Sequence, residues 1–76
     1  MTYLTSADIY SLCNKHQWFT SGSTNQYEKV MSYVDEENIT ARDTDKIRKV
    51  AVMIWMCSSN EITEKEILIE LTRKLY

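Results

Sequence analysis

The sequence has no proline and one glycine, Gly22. A fold of many short strands needs those residues at its turns, so their scarcity excludes a sandwich or small barrel and favours helices. A single glycine also cannot build a loop that cradles phosphate. Histidine occurs once, as His16, and cysteine twice, as Cys13 and Cys57. Secreted domains of this size usually carry a denser cysteine framework, so the pair reads as buried thiols in a reducing cytoplasm. Asn38-Ile39-Thr40 matches a glycosylation sequon, but with no secretory signal expected the match reads as chance. Excess positive charge is missing too. A net charge of −2 and an isoelectric point near 5.3 speak against a general binder of nucleic acid or of anionic membranes.

What the chain does have is apolar content concentrated in one place. Hydrophobic residues make up 43% of the 76 positions, enough for a core in a domain that can bury roughly 60% of its unfolded surface. Val50 to Cys57 is an unbroken apolar run. It is far short of the ~20 residues needed to cross a bilayer. A helix through it is hydrophobic all round, which means burial on every side or a face handed to a partner.

Four helices are expected, in one domain spanning residues 1–76. The first runs from Ser6 to about Lys15: Thr5 and Asp8 form a capping box, Leu4 and Ile9 a hydrophobic staple, and Ile9, Leu12, Cys13 and His16 fall at helical spacing. Thr20-Ser21-Gly22-Ser23 reads as a turn. The second helix starts at a Ser23–Gln26 capping box, with Tyr27, Val30, Met31 and Val34 on its inner face. It should fade over Asp35-Glu36-Glu37-Asn38, since three acids oppose the dipole at a helix C-terminus. Ile39 then tucks the following loop onto the core. A third helix begins at Thr40 or Asp43, and Ser58-Ser59-Asn60 breaks it. The fourth opens on Thr63 with Glu66, stapled by Ile62 and Ile67, and closes with Arg73 and Lys74. These elements give an all-α, compact four-helix domain in which the apolar third helix is central and the others pack around it. The expected core is Ile9, Leu12, Tyr27, Val30, Met31, Val34, Ile47, Val50, Ala51, Ile54, Trp55, Leu68 and Leu71.

Candidate chemistry is sparse. Cys13 and His16 lie one turn apart and Cys57 is a conceivable third ligand, but structural zinc wants four ligands with paired short spacings. A catalytic Cys–His pair needs a thiolate and an oriented imidazole in a cleft, which a domain this small seldom encloses. No enzyme activity, metal, cofactor or small-molecule substrate is therefore expected. Arg42, Lys46 and Lys49 align on one side of the third helix and would serve a small helical DNA-binding regulator, although Asp43 and Asp45 dilute that side. Trp18-Phe19 either plugs one end of the bundle or is an exposed anchor for a partner. Val52, Met53 and Met56, on the outside of the third helix, are candidates to face a partner or a second copy, because methionine-rich surfaces adapt well to contacts. Asp35, Glu36, Glu37, Glu61 and Glu64 form acidic faces suited to a basic nucleic-acid channel, where complementary charge speeds association.

Leu12-Cys13-Asn14-Lys15-His16-Gln17-Trp18-Phe19-Thr20-Ser21-Gly22-Ser23, followed by Gln26-Tyr27-Glu28-Lys29, resembles short proteins encoded by phages and mobile elements of Gram-positive bacteria. Ile54-Trp55-Met56-Cys57-Ser58 is similar to an Ile-Trp-Leu-Cys-Ser stretch of the same proteins. The similar parts span about residues 6 to 71. The resemblance implies an origin and a compact helical fold in the cytoplasm of a bacterial host, and it carries over no functional residue. With it, the expected function is a non-enzymatic protein-binding module, such as an inhibitor of a host defence protein. A DNA-binding regulator and a homodimeric structural protein with no separate ligand stand as the alternatives.

Overall fold

The computed structural model describes residues 3–18, 24–58 and 61–76. They form four helices, α1 (Ser6–His16), α2 (Thr24–Glu37), α3 (Thr44–Cys57) and α4 (Glu64–Leu75), in a single small all-α domain. The Thr20–Ser23 turn, the Ser23–Gln26 capping box, Phe19, and Ser59 and Asn60 of the helix-breaking tripeptide lie outside the described residues.

α1 starts as its sequence dictates. Thr5 accepts a hydrogen bond from the Asp8 backbone N–H, and the Asp8 carboxylate accepts one from the Thr5 N–H, so both halves of the capping box form. Leu4 and Ile9, the staple, are both fully buried. At the other end Gln17 turns left-handed, with φ 53°. The Trp18 N–H then reaches back to the Cys13 carbonyl at 3.2 Å. This is the six-to-one bond of a Schellman ending, which throws the next apolar residue back onto its own helix. Trp18 is accordingly buried, and its indole stacks on the His16 ring with centroids 5.0 Å apart.

α2 ends at Glu37, inside the Asp35–Asn38 stretch where it was expected to fade. Its acids are answered from outside the helix. Asp35 accepts from the Ser6 N–H at 3.1 Å, at the positive end of α1, and Glu37 meets the Lys46 ammonium at 3.2 Å. Asn38 is left-handed, with φ 48°, a conformation asparagine tolerates at a helix end. Ile39 follows it into the core, fully buried as expected, and its carbonyl accepts from the Leu4 N–H at 2.8 Å.

The two candidate starts of α3 resolve in favour of Asp43, with Thr44 as the first helical residue. Asp43 does not cap that helix with its side chain. Its carboxylate accepts instead from the Thr40 N–H at 2.9 Å and from the Thr40 hydroxyl at 3.2 Å, which fixes the turn before α3. In α4 the Thr63 hydroxyl accepts from the Glu66 N–H at 3.2 Å.

Ile47, Val50, Ala51 and Ile54 of α3 are buried against Val30 and Val34 of α2, Ile67, Leu71 and Leu75 of α4, and Ile9 and Leu12 of α1. α3 packs between α2 and α4, so it is central to those two. α1 packs mainly on α2 rather than on α3, which corrects the expectation that all three others surround it. His16 carries α1 across to α4, with its Nε2 3.6 Å from a Glu70 carboxylate oxygen. Trp55, expected in the core, is 46% exposed. Neighbouring residues of one helix point about 100° apart, and the core face belongs to Ile54. Tyr27, Met31 and Leu68 are partly buried against the core instead of inside it.

Candidate interaction surface

The apolar run of α3 has two faces. One is the core. The other begins at Val52, which is half-buried, and ends at Met56, which is 75% exposed. This side stays open at Met56: α2 and α4 flank α3, and α1 packs mainly on α2 and meets α4 through the His16–Glu70 pair. Toward α2, Met53, Met56 and Cys57 join Gln26 and Val30 around an open pocket of about 180 Å³. Toward α4, the Trp55 indole N–H donates to the Ile62 carbonyl at 3.1 Å. Trp55 thereby satisfies its only polar atom and ties the entry of α4 to the last turn of α3, while part of its ring stays open to solvent. Of the three α3 residues expected to face outward, Met56 does so fully, and Val52 and Met53 in part. Trp55 is the member that helical periodicity missed. In an all-apolar run every register looks equally buried, and only the positions of α2 and α4 choose the inner one.

Trp18 does not belong to this surface. It is buried at the other end of the bundle, so the plug reading applies and the exposed-anchor reading does not. Beside it His16, Glu66, Ile69, Glu70 and Arg73 line a shallow depression. Glu70 lies 3.6 Å from His16 and 3.5 Å from Arg73, and the Arg73 guanidinium offsets its charge.

The acidic residues part company. Asp35 is engaged with α1 and Glu37 with α3, and Glu36 is exposed. The basic side is similarly reduced. The Glu37 carboxylate holds the Lys46 ammonium charged beyond the ordinary lysine value, and Lys49 lies over the Tyr33 ring at 4.8 Å. That leaves Arg42 and Arg48 exposed with no ion pair among the described residues. A recognition helix needs several such cations aimed at phosphates.

The thiols are poorly suited to nucleophilic work. Cys13 is buried and its pKa is pushed up to about 12 by desolvation, and burial also raises that of Cys57. A thiol raised in this way stays protonated at neutral pH, whereas a nucleophilic cysteine needs its pKa lowered. The described residues contain no group of three His, Cys, Asp or Glu placed to hold a metal ion. Among them, too, no helix is long and apolar enough to cross a membrane. Comparison with protein-family models, curated proteins and solved structures finds no match to this chain.

Proposed function

We propose that this chain is a non-enzymatic protein-binding module whose contact surface is the outer, C-terminal half of α3. The observation that carries the reading is Met56, 75% exposed beside a half-exposed Trp55 and an apolar pocket rimmed by Met53 and Cys57. A large apolar group left in water costs about 1.5–3 kcal/mol relative to burial. Methionine side chains around a pocket, with a half-exposed tryptophan on the adjoining side of the helix, are of the residue types enriched in interface centres. Glu36, exposed on α2, adds negative charge at the periphery, where charge steers encounter more than it deepens affinity. The resemblance to phage and mobile-element proteins supports an origin in such an element. On that origin the partner is a host protein in the bacterial cytoplasm, and the action is inhibition by occupation of a defence protein's working surface. The pairing of Lys46 with Glu37 weighs against the DNA-binding alternative.

A tagged pull-down from a Gram-positive lysate tests the reading. One dominant protein should be recovered, lost with Met56→Lys and weakened by Glu36→Lys with Glu37→Lys. Failure to recover any partner, together with a duplex-DNA shift at physiological salt, would overturn it in favour of the DNA-binding regulator.

A further inference from the structure

We propose that the pocket between α2 and α3 binds copper(I) through the sulfur atoms of Met53, Met56 and Cys57. The inference goes beyond the protein-binding reading and does not need the outer face of α3 to be occupied. All three sulfur-bearing side chains line this pocket, with Gln26 and Val30 of α2 as its other wall. Helix geometry groups them. Met56 and Cys57 stand three and four positions after Met53, so the three side chains leave α3 within an arc of about 100°. Methionine is unbranched and flexible, which lets both thioethers turn toward a point shared with the Cys57 sulfur.

The donor set selects the ion. Thioether and thiolate sulfur are soft ligands, which favour copper(I) over ions that prefer oxygen. No carboxylate or imidazole lines the pocket, and Gln26 brings its only side-chain oxygen. Charge points the same way. One thiolate neutralises a monovalent ion, so the loaded site carries no net charge against the Val30 wall. A divalent ion would keep a positive charge that no lining residue answers, which apolar surroundings penalise. Zinc also asks for four ligands. The zinc set considered from the sequence was different: its Cys13 and His16 belong to α1, and neither lines this pocket.

Cys57 is half-buried, and burial raises its thiol pKa, so the unloaded site holds a proton on sulfur. Binding breaks the S–H bond, forms the S–Cu bond and passes the proton to solvent, with copper remaining copper(I) throughout. Affinity therefore rises with pH. Met56, 75% exposed, is the sulfur that an incoming ion meets first.

Anaerobic titration of the full chain with copper(I), kept reduced by ascorbate and competed with bicinchoninate, reads the site directly. One copper per chain is expected, with one proton released. Cys57→Ala should abolish binding. Met53→Leu and Met56→Leu keep the side-chain volume. Each should weaken binding by at least the roughly tenfold that loss of an outer supporting group costs a metal site. Met31→Leu and Cys13→Ala, outside the pocket, should leave it unchanged, and zinc(II) should not compete. Should Cys57→Ala fail to fold, the leucine variants carry the test. A chain that takes up no copper overturns the site, as does equal competition by zinc. Copper retained in full by Met53→Leu with Met56→Leu also overturns it, since a lone thiol would then be the ligand. Failure here is separable from failure of the protein-binding reading. If the chain binds no copper and Met56→Lys still abolishes capture of a lysate protein, the metal site fails and that reading stands. Copper bound with the expected sulfur dependence, in a chain that captures nothing, supports the site and removes that reading.

Discussion

Burial sets the chemistry of the two thiols, and each consequence can be measured. Neither Cys13 nor Cys57 is in a disulfide. With Cys13 buried and Cys57 half-buried, Ellman's reagent should modify Cys57 first and Cys13 more slowly, both below the rate of a small free thiol. Guanidinium should remove the difference. Equal fast rates in the native protein would contradict the burial of Cys13. The raised Cys13 pKa also fixes the sign of a pH effect. A folded-state value of about 12 against an ordinary 9.0 means that its contribution to stability is whole below pH 9.0 and is lost as pH rises toward 12. Relative to wild type, Cys13→Ala should therefore be least stable near neutral pH, and the gap in denaturant midpoint should narrow above pH 9.0. Asp43 has the opposite sense. The Thr40 backbone N–H, followed by the Thr40 hydroxyl and the nearby Lys46, holds its carboxyl below the ordinary 3.8. Its stabilising effect is present above 3.8 and fades as pH falls through the lower folded value. Asp43→Asn should lower the denaturant midpoint at neutral pH, and the difference should close on acidification below 3.8. A gap that persists in acid would mean that the Thr40–Asp43 turn is not held by charge.

At the scale of elements, the helix bounds were largely legible in the sequence, and the partners that hold the helix ends were not. Thr5–Asp8 and Thr63–Glu66 are local signals, complete within four residues, and both appear as hydrogen bonds. Thr63→Ala should cost about 1 kcal/mol in thermal or denaturant unfolding, the usual value of an N-cap. No measurable cost would mean that α4 is fixed by packing and by the Trp55 bond to Ile62. The ends depend on partners distant in sequence. Three acids closing α2 looked unfavourable because Ser6 and Lys46, which receive two of them, lie 29 and 9 positions away. The left-handed Gln17 carried no signal at all, since glutamine has no special tolerance of that conformation. Trp18 was consequently left between plug and anchor until the Schellman turn placed it. The same limit applies to the candidate surface. Met56 was foreseen because the run from Val50 to Cys57 has more apolar positions than one inner face can use. Trp55 was assigned to the core because helical period alone does not say which register of such a run faces inward.

The whole molecule is a chain of pairwise packings, α1 on α2, α2 on α3 and α3 on α4, with His16 and Glu70 joining the ends. That order leaves one side of α3 uncovered, so the most apolar helix supplies both the centre of the core and the most exposed methionine of the described residues. The account stands or falls on this division of labour within one helix. Two residues of one turn measure it: Ile54, fully buried, and Met56, 75% exposed. Equilibrium urea unfolding of Ile54→Ala and Met56→Ala compares them on the same scale. Ile54→Ala should lose about 2–5 kcal/mol. Met56→Ala should stay within about 0.5 kcal/mol of wild type, as a surface position does. A loss at Met56 approaching that at Ile54 would show that the outer side of α3 is core after all, and would leave the chain without the surface on which its proposed function depends.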